Sequence, residues 1–144
     1  MRRAIISFFV LIVFLTATSG LALAAWADYF TAPEGLEPGG LEAPGQIVNI
    51  LTPELKFVTV GPLSYIYLFQ VEDVPVTLAE QFSNKPIPVL MAKVNSSSLQ
   101  IPSGILFPGK SYYWYVLSIH NPGTKSEAIK SSPKLYFATA QDSK

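Results

Sequence analysis

The chain contains no cysteine and only one histidine among its 144 residues. The absence of cysteine excludes disulfides, thiolate metal sites, a thiol nucleophile and lipidated cysteines, so an exported domain of this chain must keep its core without covalent cross-links. Glycine-rich phosphate-binding loops and closely spaced histidines are absent from the sequence as well. We therefore expect no cofactor and no resident metal, and the sequence does not indicate an enzyme.

Positive charge is also scarce in the sequence. Ten basic residues balance ten acidic ones, and Arg2 and Arg3 are the only arginines. Beyond them, eight lysines face ten acidic residues, which leaves a net charge of −2 for the rest of the chain. Nucleic-acid binding usually requires a basic face, so a nucleic-acid partner is not expected.

The N-terminus has the order of a secretory signal. Two arginines precede an apolar stretch over residues 4–17, and small residues follow at Ala22 and Ala24. This order predicts a signal peptide over residues 1–24, with cleavage after Ala24. The alternative is an uncleaved anchor, because residues 4–26 are just long enough to span a bilayer as a helix. Either way the rest of the chain is expected outside the cytoplasm: secreted, periplasmic, at the cell surface, or on the outer side of a single-pass anchor.

Composition divides the remainder of the chain into three parts. Residues 25–45 are rich in proline, glycine and glutamate and show no hydrophobic period, which predicts an extended linker. Residues 46–140 form the predicted domain, and residues 141–144 are expected to fray at its end.

Short apolar runs separated by turn residues follow one another through the predicted domain. This spacing is typical of an all-β sandwich. The predicted strands cover residues 46–50, 54–60, 64–72, 89–94, 98–101, 111–119 and 134–139. Thr77 and Glu80 have the spacing of a helix capping box, which predicts one short helical turn over residues 77–83.

Four motifs in this region share features with one family of sandwich domains. They are Pro53-Glu54-Leu55-Lys56-Phe57; Tyr67-Leu68-Phe69-Gln70-Val71; Leu106, Pro108-Gly109, Tyr112, Trp114 and Val116; and Leu135, Phe137 and Thr139. Over about residues 45–140 they resemble strands B, C, F and G of a fibronectin type III domain or a close immunoglobulin-like relative. The resemblance implies a seven-stranded sandwich, with Phe57 in the place of the family's usual Trp and Tyr112 as a corner tyrosine.

Alternation along three of these strands predicts a second apolar cluster, on the outside of the sandwich. Strands C, F and G lie side by side in the family fold, and the resemblance places Tyr67, Phe69, Tyr112 and Trp114 in the core. Their sequence neighbours then point outward, because side chains alternate along a strand. The predicted outer residues are Ile66, Leu68, Tyr113, Tyr115, Leu117 and Tyr136. A monomer usually shows polar residues on such a face, so this patch is the candidate binding face.

Three interpretations of this patch are open from the sequence. Residues 25–46 of the same chain, which include Trp26, Tyr29 and Phe30, could fold back over it. A protein partner or a second copy could bind it, as exposed apolar patches generally indicate. Carbohydrate could stack on the tyrosine rings, although few polar groups accompany them. We favour protein–protein association by a non-catalytic exported module, and the alternatives are a structural spacer at the cell envelope and a carbohydrate-binding module.

The polar residues that could carry chemistry fit ordinary structural roles. Ser118 is expected to face inward and His120 ends the aromatic strand, so they do not form the nucleophile–base pair of a hydrolase. Glu72 and Asp73 are neighbours in a strand and point to opposite sides, unlike the converging acids of a glycosidase. Asn95 begins a glycosylation sequon, which has a meaning only in a eukaryotic host.

Overall fold

The computed structural model of the protein describes residues 31–71 and 86–142. Every regular element within these ranges is a β-strand. The strands are β1 (Glu34–Glu37), β2 (Gln46–Val48), β3 (Glu54–Val58), β4 (Leu63–Gln70), β5 (Leu90–Val94), β6 (Ser98–Gln100), β7 (Ser111–His120), β8 (Ala128–Ser131) and β9 (Leu135–Thr139). They form a small sheet in the order β1-β3-β6 and a large sheet in the order β2-β9-β7-β4-β5, with β8 paired to β7.

The all-β, two-sheet architecture predicted from the sequence is confirmed. The predicted strands correspond to β2 to β7 and β9, most of them with slightly shorter bounds, whereas β1 and β8 are additional. The predicted signal or anchor and the predicted helical turn over residues 77–83 lie outside the described residues. Within the described ranges no helix is long and apolar enough to cross a membrane.

The core lies between the inner faces of the two sheets. Along β7, Tyr112, Trp114, Val116 and Ser118 are all fully buried, as the alternation predicted. Across from them, the ring of Phe57 on β3 meets Trp114 edge to face, with the ring centroids 6.5 Å apart. Large aromatic side chains that meet in this way contribute much of the stability of a small domain, which here has no disulfides.

Tyr112 also ties the start of β7 to the loop before it. Its hydroxyl accepts a hydrogen bond of 2.8 Å from the backbone N–H of Phe107, five residues upstream. This is the bond that a corner tyrosine makes in sandwich domains. Burial raises the pKa of the Tyr112 hydroxyl, which favours its neutral form.

The segment predicted as a linker is part of the fold where the structure describes it. Strand β1 pairs antiparallel with β3, and residues from Ala32 onward belong to the same compact unit as the sheets. The carbonyl of Pro38 accepts a buried hydrogen bond of 2.9 Å from the indole Nε1 of Trp114. A buried indole N–H requires an acceptor, and the supposed linker supplies it.

The glycines in this segment let its backbone pack closely against the sheets. A Cβ atom on Gly35 would lie 2.9 Å from Cδ1 of Leu135 and 3.2 Å from the ring of Trp114, so any larger residue would require these side chains to shift. Gly40 exchanges two backbone hydrogen bonds, of 2.9 and 2.8 Å, with Tyr136 on β9. The glycines that predict a linker therefore contact the sheets in the structure.

The side chains of β4 point to the faces opposite to those predicted. Ile66 pairs with Val116 and Leu68 with Trp114, and residues paired across a ladder point to the same face. Ile66 and Leu68 are therefore in the core, each with 0% of its surface exposed, and not on the outside. Tyr67 pairs with Tyr115 and Phe69 with Tyr113, which directs these two rings to the outer face.

The chain bends between β8 and β9 because of one extra residue. Leu117 pairs with Ser131 and Trp114 with Leu135, so three steps along β7 match four steps along the partner. This is the pattern of a β-bulge, which re-aims the side chains that follow it. Ser132 anchors the bend, since its hydroxyl accepts a bond of 3.0 Å from the N–H of Val116. The alternation that resumes at Leu135 places Tyr136 on the outer face.

Candidate functional site

The outer face of the large sheet carries a continuous group of aromatic side chains, which we call the aromatic face. It is built from alternate positions on three adjacent strands, β4, β7 and β9, because those positions point away from the core. Its aromatic residues are Tyr67 and Phe69 on β4, Tyr113 and Tyr115 on β7, and Tyr136 on β9. Tyr65 and Leu117 extend the face along the same strands.

The rings of the aromatic face stack on one another across the strands. Tyr67 stacks on Tyr115 with a centroid distance of 5.4 Å and an angle of 17°. Phe69 stacks on Tyr113 at 4.8 Å and 10°, and on Tyr115 at 5.9 Å and 16°. Tyr136 continues the row beyond Tyr113 at 5.8 Å, tilted by 44°. Aromatic pairs of this kind each stabilise a fold by about 0.5–1.5 kcal/mol beyond the area that they bury.

The stacking determines which parts of the rings a partner can reach. Tyr113 lies between Phe69 on β4 and Tyr136 on β9, so other rings cover both flat faces of its ring, whereas both rings that Tyr115 contacts belong to β4. The ring edges remain for contact from outside. A sugar or a nucleic-acid base stacks on an open ring face. The ring of Tyr113 therefore does not offer the platform that such ligands use.

The charges on the aromatic face are positive. The ammonium group of Lys134 lies 4.7 Å from the centroid of the Tyr113 ring, a cation–π arrangement. Lys93 on β5 pairs with Tyr65 and is exposed beside it. Among the residues that the structure describes, none of the acidic residues belongs to a strand of the large sheet. A partner for this face is thus expected to carry negative charge.

Burial changes the acidity of the central tyrosines. It raises the pKa of the Tyr113 hydroxyl above its usual value of 10.0, with smaller contributions from Tyr115 and Tyr136. It also raises the pKa of Tyr115, with a smaller contribution from Tyr67. The cause is the same in both cases, because a phenolate next to other rings loses hydration.

The raised pKa values predict a loss of stability in alkaline solution. The folded chain holds these protons more tightly than the unfolded chain, so the stabilisation is complete below the unfolded pKa of 10.0 and decreases as pH rises above it. Urea unfolding across this pH range measures the effect. Replacing Tyr113 and Tyr115 together by Phe should make the decrease shallower; an equally steep decrease in that variant would contradict the assignment.

The structure brings four of the six predicted site residues together. Tyr113, Tyr115 and Leu117 on β7 and Tyr136 on β9 share the outer face, as predicted. Ile66 and Leu68 do not, because both are fully buried on the other side of β4. The sequence interpretation missed Tyr67 and Phe69, which it placed in the core. The pairing of β4 with β7 is the signal that would have identified them, and it is not readable from β4 alone.

Ser118, one of the residues considered for catalysis, has another serine as its partner. The hydroxyl oxygens of Ser118 and Ser64 lie 2.8 Å apart in a buried hydrogen bond between β4 and β7. Among the described residues no group of three or more histidine and acidic side chains is close enough to hold a metal ion. Glu72 and Asp73 lie outside the described residues.

A shallow groove of about 370 Å³ lies at the edge of the large sheet, where β2 approaches β3. Its apolar lining comes from Ile47 and Ile50, and an exposed ion pair between Lys56 and Glu37 borders it. An ion pair this exposed contributes little to stability or binding. The groove has no buried polar group that would orient a small ligand, so the aromatic face is the stronger candidate.

Comparisons of the chain with protein-family models, with curated proteins and with solved structures found no match. What the aromatic face can do follows from its side chains. Ring edges provide apolar contact, tyrosine hydroxyls can donate or accept hydrogen bonds, and Lys93 and Lys134 can pair with carboxylates. Tyrosine offers this combination with little loss of side-chain freedom, because it has only two rotatable angles.

Proposed function

We propose that this protein is a non-catalytic interaction module that binds another protein chain through its aromatic face. The observation that carries the proposal is the row of five aromatic rings, four stacked and one tilted, on the outer side of antiparallel strands. Such a side usually carries polar residues, since it faces water. Tyrosine and other aromatic residues are enriched at protein interfaces, where they contribute a large share of the binding energy.

The two other candidate functions receive less support from the geometry. A carbohydrate-binding module needs open ring faces, and the ring of Tyr113 lies between those of Phe69 and Tyr136. A structural spacer needs only a stable domain, and polar side chains on the outer face would serve it as well. A spacer does not need tyrosines on its outer face, so their presence there favours association with another protein chain.

We further propose that the domain is a fibronectin type III-like sandwich. Three features support the assignment: β4, β7 and β9 lie side by side as strands C, F and G do, Tyr112 makes the corner hydrogen bond, and β3 and β6 belong to the opposite sheet. Export to the periplasm, the cell surface or the medium, with or without a membrane anchor at residues 4–26, is part of the proposal. Its support is the basic and apolar order of the N-terminus.

Site-specific photo-crosslinking of the full chain in its own host tests the function. We expect a benzoylphenylalanine at position 115 to give a light-dependent adduct with a protein chain, because the probe lies in the centre of the aromatic face. The matched control is the same probe at Phe107, an exposed position in the loop before β7. We expect no adduct there.

A second variant separates specific binding from chance contact. Replacing Tyr113 and Tyr136 by Ala removes two other rings of the aromatic face without touching the core side of the strands. We expect the adduct at position 115 to decrease at least tenfold in this variant. Equal adducts from positions 115 and 107, or none from position 115, would contradict the proposed function.

A further inference from the structure

The two outer faces of the sandwich differ in charge. The aromatic face carries Lys93 and Lys134. The outer face of the small sheet, which we call the acidic face, consists of side chains on β1 and β3 that point away from the core. Its residues are Glu34, Leu36, Glu37, Glu54, Lys56 and Val58.

The acidic face keeps an excess of negative charge after its own ion pair is counted. Lys56 is offset by Glu37, since their Nζ and Oε1 atoms are 2.5 Å apart. The carboxylates of Glu34 and Glu54 are then in excess, and both side chains are exposed. Two carboxylates on one face match in number the two ammonium groups of Lys93 and Lys134 on the other.

The acidic face also offers apolar surface to an aromatic partner. Leu36 is 50% exposed and Val58 is 47% exposed, although both belong to strands. Exposed aliphatic side chains next to carboxylates are complementary to ring edges next to lysines. The two faces lie on opposite sides of the same sandwich, so a copy cannot bring them together within itself.

From this complementarity we infer that the partner of the aromatic face is the acidic face of a second copy of the chain. The inference depends on the proposed function, because it names the occupant of the same site. A pairing of two aromatic faces would oppose lysines to lysines and leave the carboxylates unused. The head-to-tail pairing uses both charges, and it repeats from copy to copy unless a ring closes.

The size of the faces sets the strength of the contact. The small sheet has three strands of three to five residues, far less than the large sheet. Stable complexes usually bury about 800 Å² on each partner. We therefore expect a weak association that increases with protein concentration and that salt suppresses, because exposed charges are screened beyond a Debye length of about 10 Å at 0.1 M.

Charge reversal on one face at a time tests the inference in the full chain. The first variant carries Lys93→Glu and Lys134→Glu, and the second carries Glu34→Lys and Glu54→Lys. In sedimentation velocity at low salt, we expect the sedimentation coefficient of the wild type to rise with concentration and that of each variant alone to stay constant. A one-to-one mixture of the two variants should regain the association, because each altered face then meets its complement in the other copy.

The regain in the mixture is the decisive result, because damage to the fold of either variant cannot produce it. If the first variant fails to fold, Lys93→Gln with Lys134→Gln takes its place, and we expect its weaker association to be insensitive to salt. The inference is overturned if both variants associate as the wild type does, or if the mixture does not regain association. A constant sedimentation coefficient of the wild type together with an adduct to a different protein at position 115 would overturn self-association and leave the proposed function standing. Absence of both association and adduct would overturn both.

Discussion

Replacing Gly45 by Ala is expected to lower the free energy of unfolding by about 3 kcal/mol or more. Gly45 has a φ of 72°, which a residue with a Cβ adopts only at a cost. Its added Cβ would lie 1.7 Å from the carbonyl oxygen of Tyr136 and 2.4 Å from the carbonyl carbon. Both of these are backbone atoms, so rotation of a side chain cannot relieve the overlap.

The backbone of Tyr136 cannot easily move away either. It is held by two hydrogen bonds to Gly40, and the next residue, Phe137, pairs with Gln46 where β2 begins. Relief of the overlap would require β2 to separate from β9. We therefore expect the loss of stability to be accompanied by faster amide exchange along β2.

Gly104→Ala is the matched control for this prediction. Gly104 also has a positive φ, of 85°, but a Cβ there would meet nothing within 4 Å. Gly104→Ala therefore has only the conformational cost of the positive φ, about 1–2 kcal/mol. Urea unfolding of both variants separates this cost from the cost of the overlap with Tyr136 in Gly45→Ala. Equal losses in the two variants would show that the contact with Tyr136 is relieved at no cost.

The inner half of β7 was predictable from the sequence because one of its two alternating sets includes Trp114. A tryptophan next to a turn and a tyrosine in corner position indicates the buried set, and Tyr113 and Tyr115 follow on the outside. β4 has no such marker. Ile66 and Leu68 form one apolar set, and Tyr67 and Phe69 form another. The family resemblance placed the aromatic set inside, although isoleucine and leucine are more often fully buried than tyrosine. The ladder with β7 decides between the two sets.

Strands β1 and β8 could not be predicted for a different physical reason. Their sequences are short and contain few residues with high β propensity, and β1 includes Gly35. Tertiary contacts hold β1 in place. The indole N–H of Trp114 donates a hydrogen bond to the carbonyl of Pro38, and the lack of a side chain at Gly35 lets β1 pack closely on the core. β8 follows the loop after β7 and pairs only with the end of that strand.

The aromatic face is still apolar although the orientation of β4 was predicted wrongly, because both alternating groups of side chains on β4 are apolar. The predicted patch loses Ile66 and Leu68 and gains Tyr67 and Phe69. The exchange changes its chemistry, since aliphatic side chains give way to rings that stack on Tyr113 and Tyr115. The stacked rings of β4 cover the sides of Tyr113 and Tyr115 that face this strand.

Trp114 joins the core to β1, and its substitution is the second change with a large expected effect. Trp114→Ala should lower the free energy of unfolding by about 3–5 kcal/mol, because it empties the space between the sheets. Trp114→Phe keeps a ring in the core but leaves the carbonyl of Pro38 without the donor that lies 2.9 Å away. We expect the Phe variant to lose about 2–3 kcal/mol, of which an unpaired buried acceptor accounts for about 1–3.

The Phe variant should also loosen β1 selectively, and this result separates a folded strand from a linker. In amide exchange we expect residues 35–37 to lose protection in Trp114→Phe while the centre of β4 keeps it. Phe137→Leu is the matched control, because it reduces the volume of a fully buried side chain that stacks on Tyr112, not on β1. It should lower global stability and leave the order of exchange unchanged. If β1 in the Phe variant exchanged no faster than in the control, the bond from Trp114 to Pro38 would not be what fastens residues 34–38 to the sandwich.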